Sequence, residues 1–476
     1  MKKCSSTILF FLLFLSSTFS QADFYTKTYT PQQLQEDFQT YRDVLTALHP
    51  SLYWYTPKSE LDSIWQNIAT QIEQPLSKQA FYQLLASATA KINCGHTGNV
   101  ANLGKSMDKN MPFLCRYTNG KLYLHKDFST ATEPMKIIRT INGHTTNDLL
   151  HQLASTQGTD GFIETPNPLV FNSPYRFSYR YHLRYDEDTY QITFEDGTSL
   201  TRYPVSTDSL KQWYASPKRP PIRGDIDTKT KIATLTINTF DKSAFKREKL
   251  KFKKAIKTFF KAMQTEKADH LIIDLRNNGG GEDNYASFVY RYLTNTAFQY
   301  YKQMEAMPLP YPEAIADQVY LPLEVRNGLV RRFFIREKDG RYFVKVTPRT
   351  KGVGTQKAAK RAFLGQVYFL TSGDTYSAAA ELTAFAKVQR PNTVFIGQET
   401  GGAMQGNTSA IFAYLTLKHS NISTYIPLVR YTMNIDGVME GRGVIPDHIM
   451  SATVADILAN KDVEMETALR LIEKGG

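Results

Sequence analysis

The sequence predicts an α/β core preceded by a helical N-terminal domain and a β-rich module, and three observations carry that prediction. Beyond residue 225, short apolar runs alternate with helical ones, the pattern of a mostly parallel sheet covered by helices. The run 269–275 is apolar almost without a break, as in a strand buried on both faces, and it ends in Asn277-Asn278-Gly279-Gly280-Gly281. Later, Val367-Tyr368-Phe369-Leu370 leads through Thr371-Ser372-Gly373 into Asp374-Thr375-Tyr376-Ser377-Ala378-Ala379-Ala380-Glu381, so a serine stands between a strand and a helix.

In chain order, residues 1–22 read as a secretory signal peptide. Lys2-Lys3 supply the basic start, 8–15 a short apolar stretch, and Ser20-Gln21-Ala22 a cleavage site. The apolar stretch is too short to span a bilayer and no later one is long enough. The chain therefore reads as exported, periplasmic or extracellular, without an integral membrane segment. Residues 23–95 read as a helical domain: Leu34, Phe38, Tyr41 and Leu45 recur at helical spacing, 62–72 and 77–91 repeat the pattern, and Pro50 and Pro75 punctuate it. Residues 110–215 read as β-rich. One hairpin, 113–117 with 121–125, turns at Asn119-Gly120; another, 190–194 with 199–204, turns at Asp196-Gly197. Between them lie a strand at 137–141 and a helix at 147–153. Prolines within 217–221 mark a linker.

The core, 225–455, is expected to hold strands at 231–237, 269–275, 366–370, 393–396, 411–417 and 423–429, with helices at 244–265 and 284–293. An insertion at 295–364 carries its own hairpin at Asp339-Gly340, and 456–476 reads as a C-terminal helix.

With 476 residues, 42% apolar and 21% charged, the chain has room for roughly three domains with sizeable cores. Its net charge of +12 is spread out except for a dense run at 242–261. There lysines alternate with Phe and Ile at helical spacing, which reads as the solvated face of a helix and not as a nucleic-acid patch. Beyond the leader two cysteines remain, Cys94 and Cys115. Their spacing leaves pairing open, and neither sits in a zinc-type pattern, so no metal and no cofactor is expected.

Four segments hold candidate chemistry. Ser377, taken alone, reads as a helix N-cap. At the same place the unpaired N–H of Ala378 can serve an oxyanion. The glycine run after Asn278 frees the N–H groups of Gly279 and Gly280 to form an anion-binding nest; no Gly-Lys-Ser or Gly-Lys-Thr ending follows, which excludes a phosphate loop. His96, in Gly95-His96-Thr97-Gly98, has the least ordinary setting of the nine histidines and suits a general base if the fold brings it to Ser377. Glu440, before Gly441-Arg442-Gly443-Val444-Ile445-Pro446-Asp447, is either a surface loop carboxylate or the third member of a triad.

Together these segments resemble the tail-specific, or C-terminal processing, serine protease family. Asp274-Leu275-Arg276-Asn277-Asn278-Gly279-Gly280-Gly281 resembles the family's Asp-Leu-Arg-x-Asn-x-Gly-Gly segment. Tyr376-Ser377-Ala378-Ala379 with Glu381 resembles its nucleophile segment, Glu399-Thr400-Gly401-Gly402 its Glu-Thr-x-Gly turn, and Gly443-Val444-Ile445-Pro446-Asp447 its Gly-Val-x-Pro-Asp ending. The lysine that the Ser–Lys branch carries in the turn falls here on Ala403. The chain is instead similar to the branch of the tricorn core protease and interphotoreceptor retinoid-binding protein, which takes its histidine from an upstream turn; His96 and Glu440 match the histidine and carboxylate positions. That branch has a serine before the histidine, where this chain has Gly95. The strand and turn at 138–143 resemble part of a PDZ-like region.

The resemblance implies a crotonase/ClpP-like core and a serine endopeptidase acting on proteins or peptides. Ser377 is then the nucleophile, His96 the base, Glu440 the group that steadies the imidazolium, and Ala378 with Gly279 or Gly280 the oxyanion donors. No cofactor is implied. A non-catalytic carrier of apolar ligands on the same core and an esterase are the alternatives. The sequence is silent on oligomeric state.

Overall fold

Two sheets organise the protein. In a computed structural model describing residues 21–102, 108–130, 134–215, 218–309, 315, 317–347 and 351–475, the first is a six-stranded sheet. Its strands run in the order Ile222–Asp227, Ile232–Ile237, His270–Asp274, Gln366–Thr371, Val394–Gly397 and His448–Ile449. The first pair is antiparallel and the rest are parallel. Alternate residues of these strands enter two separate apolar layers, which is why the runs are apolar almost throughout. Leu271, Ile273, Val367, Phe369 and Phe395 face one layer, while Ile272, Tyr368, Leu370 and Ile396 face the other, under the C-terminal helix Val463–Glu473.

The basic run behaves as its spacing predicts. In the helix Phe252–Thr265, Phe252, Ile256, Phe259, Phe260 and Met263 are buried, whereas Lys254, Lys257 and Lys261 are exposed. The single helix expected at 244–265 is, however, two: Lys242–Arg247 precedes it. The break is a Schellman closure with lysine at the left-handed position. Lys249 has φ 54°, Leu250 N–H donates to Phe245 O at 2.8 Å and Lys249 N–H to Lys246 O at 3.1 Å. No glycine signals it.

The second sheet is antiparallel and seven-stranded. Its central strand, Ser423–Met433, pairs with Thr408–Thr416 on one side and Tyr301–Ala306 on the other. Tyr301–Ala306, with the hairpin Ile335–Lys338 and Arg341–Val344, comes from the insertion. The N-terminal helices Pro31–Leu48, Lys58–Gln71 and Lys78–Ala90 pack on this sheet: Leu34, Phe38, Tyr41 and Leu45 share one apolar cluster with Leu415, Ile426 and Leu428.

The β-rich segment forms its own six-stranded sheet from Phe113–Thr118, Lys121–Asp127, Lys136–Ile141, Tyr190–Phe194 and Ser199–Arg202, with the two-residue strand His144–Thr145 beside the third. The helices Thr146–Ala154 and Pro174–His182 pack on it. Cys94 and Cys115 are both buried and unpaired. Burial pushes the Cys94 thiol up to about 12. Of the expected leader only Gln21 and Ala22 are described, and they begin the short helix Gln21–Thr26; Pro217 of the linker also lies outside the described residues. Among the described residues no helix is long and apolar enough to cross a membrane.

Candidate active site

Ser377 sits at the junction of the strand Gln366–Thr371 and the helix Ala378–Gln389, with φ 51° and ψ −129°. A residue with a Cβ avoids that region, so the backbone here is strained. The side chain makes no capping hydrogen bond, which sets aside the N-cap reading. The strain is held by bonds from the preceding loop to the glycine turn. Tyr376 N–H donates to Asn278 O at 3.0 Å, Thr375 Oγ1 to Leu275 O at 2.9 Å and Ser372 Oγ to Arg276 O at 2.5 Å. The helix that follows is buried from Ala378 to Ala386.

The glycine turn lies against the serine. A Cβ placed on Gly280 would fall 2.6 Å from Ser377 Cβ and 3.1 Å from Ala378 N, and φ there is +95°. Only glycine lets the backbone approach so closely. The alternative donors Gly279 and Gly280 differ in how their N–H groups are engaged. Gly280 N–H is already committed, at 2.9 Å, to Oδ1 of the buried Asn278. Among the described residues the N–H groups of Gly279 and Ala378 donate to nothing, and Ser377 Oγ has no hydrogen-bond partner.

His96 reaches the core through backbone pairing. Its turn is closed by Thr97 N–H to Cys94 O at 3.0 Å. The next residues, Gly98–Val100, then add as a strand to the central strand of the second sheet, Gly98 opposite Tyr425. The imidazole stacks on the Tyr376 ring, with centroids 4.7 Å apart and planes at 23°, and its Nδ1 lies 2.9 Å from Tyr376 Oη. The base candidate thus rests on the residue that precedes the nucleophile. Gly95 is forced by the same contact: a Cβ there would lie 2.3 Å from Tyr376 Oη.

The structure does not bring Glu440 to His96. Glu440 is exposed, accepts Trp54 Nε1–H at 3.0 Å, and forms neither hydrogen bond nor ion pair with the imidazole among the described residues. The cause is the rim around it: Trp54 stacks on Tyr55 at 4.9 Å, and the Arg430 guanidinium lies 3.8 Å over the Trp54 ring. The carboxylate at the histidine is Asp160, whose Oδ1 lies 3.8 Å from His96 Nδ1. It accepts Gly95 N–H at 2.9 Å and Tyr376 O–H at 3.1 Å. Burial first, and the Asp160 charge second, push the Tyr376 phenol well above its ordinary range, so it stays protonated. Sequence reasoning passed over Asp160, whose only local signal is the run Gly158-Thr159-Asp160-Gly161.

The remaining motif residues hold loops in place. Arg442 grips Glu399 with two bonds, at 2.8 and 2.6 Å, and Gly443 N–H adds a third at 2.9 Å. Thr400 Oγ1 accepts Val444 N–H, and Asp447 accepts Phe395 N–H. Arg276 joins Asp274 to Asp462 and Glu464. Ala403, at the lysine position of the dyad branch, is 2% exposed. Among the described residues no three His, Cys, Asp or Glu side chains are grouped as a metal site would need.

A strained, unengaged serine at the start of a buried helix, set against a glycine turn, suits a serine-type peptidase. Residues 231–450 match the model of peptidase family S41. No curated protein matches the chain in sequence. Among solved structures it is similar to mature CPAF complexed with lactacystin, with a TM-score of 0.62 and 14% identity over 93% of this chain and 98% of that one. It is likewise similar to mature CPAF alone, with a TM-score of 0.58 and 13% identity over 90% and 94% of the two chains. At such identities the likeness shows the fold, and it extends over the N-terminal helices and the β-rich segment as well as the core.

Proposed function

We propose that the protein is an exported serine endopeptidase that cleaves protein or peptide substrates with Ser377 as nucleophile and His96 as base. The observation that carries this reading is the strained serine at the start of a buried helix, its hydroxyl unengaged and the unpaired Ala378 N–H next to it. Ser377 Oγ attacks the peptide carbonyl carbon and its proton passes to His96 Nε2. The oxyanion is received by Ala378 N–H and Gly279 N–H; such donors typically contribute about 3 kcal/mol each to the barrier. As the tetrahedral species collapses, the imidazolium gives its proton to the leaving amine, and water repeats the sequence on the acyl-enzyme. Glu440 carries no step here. The basic start and short apolar stretch of residues 1–22 support export.

A fluorophosphonate that labels active serines, followed by peptide mapping, tests the assignment. Labelling is expected on Ser377, and Ser377→Ala is expected to lose hydrolysis of an unfolded protein substrate by several powers of ten, as in other triad knockouts. Hydrolysis at the wild-type rate by folded Ser377→Ala would refute it.

A further inference from the structure

We propose that Tyr376 and Asp160 are the positioning residues of the base, forming a line from His96 Nδ1–H to Tyr376 Oη and from Tyr376 Oη–H to Asp160 Oδ1. This deepens the Ser377–His96 reading and rests on it.

The direction of each hydrogen follows from what the groups can do. Asp160 Oδ1 accepts Gly95 N–H and presents its lone pairs there, so the Tyr376 hydroxyl, 3.1 Å away, donates to it. A hydroxyl has one hydrogen, so towards the imidazole, 2.9 Å away, it presents a lone pair. Nδ1 must then carry the proton, and Nε2 is left bare to take the serine's. A group bonded to one ring nitrogen commonly fixes the tautomer of a catalytic histidine in this way.

Asp160 itself points to the same role. Its side chain is 2% exposed, its Oδ2 has no partner, and among the described residues no lysine or arginine pairs with it. A buried carboxylate without a cation is costly to keep. The imidazolium formed when His96 takes a proton is the cation the site would present to it. The fit at Gly95 is specific: the Tyr376 hydroxyl fills the space that a side chain at residue 95 would occupy. A tyrosine from the nucleophile loop therefore stands where the branch that this chain resembles has a serine next to the histidine.

Other titratable groups face this line. Cys94 belongs to the turn, His49 bonds Thr97, Tyr55 comes from the segment after the first long helix, and Tyr425 from the central strand. Glu381 faces Asp160, and Arg430 and Glu440 face Tyr55. Burial keeps the Cys94 thiol and the tyrosines protonated and pushes His49 down to about 3, so these stay neutral from pH 5 to 9. Glu381, pushed by burial up to about 7, titrates within that range, so the measurements are repeated in a Glu381→Gln background.

The experiment is the pH dependence of kcat/KM on a peptide substrate for the wild type, Asp160→Asn, Tyr376→Phe, their double variant and Glu440→Gln. The wild type should show one limb on the acid side, where the base must lose its proton to act. Asp160→Asn removes a carboxylate that favours the imidazolium, and Tyr376→Phe removes the oxygen that accepts Nδ1–H, so both single variants should move that limb to lower pH. The plateau should fall by about 10²-fold or more in Asp160→Asn and about 10-fold in Tyr376→Phe. The double variant should fall no further than Asp160→Asn, because both act along one line. Glu440→Gln should leave the limb in place. An unmoved limb in both folded single variants overturns the inference, as does an equal shift in Glu440→Gln. If Asp160→Asn fails to fold because Gly95 loses its acceptor, Tyr376→Phe decides, since it deletes one oxygen only. A wild-type profile without the limb removes His96 as base and this inference with it, while serine labelling still reports separately on Ser377.

Discussion

Replacing Gly280 by alanine tests whether the glycine turn sets the position of the nucleophile. The new Cβ would lie 2.6 Å from Ser377 Cβ, 3.0 Å from Tyr376 O and 3.1 Å from Ala378 N. Carbon atoms settle at about 3.5–4.0 Å, so something must move by about 1 Å. The turn cannot yield easily. Its φ of +95° is already one that alanine resists, at a cost of about 1–2 kcal/mol, and Phe240 N–H binds Gly280 O at 2.8 Å while Asn278 Oδ1 holds Gly280 N–H at 2.9 Å. The displacement therefore falls on Ser377 and the Ala378 amide. A shift of about 1 Å at the reacting atoms costs on the order of 10²-fold, so kcat should drop by about that factor with KM little changed. Stability should fall by about 1–3 kcal/mol. Steady-state kinetics and urea unfolding read the two effects, and the rate of fluorophosphonate labelling reads the serine alone. A folded Gly280→Ala enzyme that labels and turns over like the wild type would refute the placement of this turn against Ser377.

Two further outcomes follow from the loops and helix behind the site. Arg442→Ala leaves the 10%-exposed Glu399 carboxylate with Gly443 N–H but without its guanidinium; urea unfolding should show a loss of about 1–3 kcal/mol, and no loss would mean that the clip is idle. Glu381 is held by Tyr301 O–H and Asn407 Nδ2, and burial raises its carboxyl from 4.5 to about 7. A carboxyl raised on folding favours the folded state while protonated. Its contribution is therefore greatest below about pH 4.5 and is lost as pH climbs through about 7, by up to about 3 kcal/mol. Glu381→Gln should flatten urea-derived stability between pH 5 and 8, and an equally sloped variant would assign the dependence elsewhere.

Legibility in the sequence followed the locality of the signal. The parallel strands announced themselves because both faces are buried, and the two hairpins because Asn119-Gly120 and Asp196-Gly197 suit tight turns, with Asn119, Gly120 and Gly197 at positive φ. Ser377 and the glycine turn were visible because their chemistry is written in neighbouring residues. The break at Lys249 was hidden, since a lysine occupies the left-handed position that glycine usually marks. Asp160 was hidden for another reason: it meets His96 only because Gly161 N–H bonds Asn93 O and Gly95 N–H bonds Asp160 itself, and no spacing rule relates those segments. Glu440 went the other way. Its motif position suggested a partner for histidine, but Trp54, from the loop after the first long helix and 386 residues earlier, takes its carboxylate.

The insertion at 295–364 read in the sequence as an addition to the core, yet it stands behind the nucleophile. Its strand Tyr301–Ala306 pairs with the central strand of the second sheet, and Tyr301 reaches from it to Glu381, one helical turn after Ser377. The same central strand carries Tyr425 opposite Gly98, beyond the His96 turn. It also carries Tyr431, whose phenol is pushed well above its ordinary range by burial first and by the charge of the half-buried Asp283 second. One strand thus sets both halves of the site: the turn that delivers the base, and the buried tyrosine–carboxylate layer under the nucleophile helix. The serine loop and the histidine turn come from different sheets, and Tyr376 and His96, 280 residues apart, meet through the packing of those sheets. That explains why the family motifs are spent on fastening. Arg442 on Glu399, Thr400 on Val444 and Asp447 on Phe395 close the loops around the first sheet, and the Tyr376–Asp160 contact fastens the histidine turn to the serine loop. Chemistry at Ser377 requires its few atoms to be held still by residues that touch no substrate.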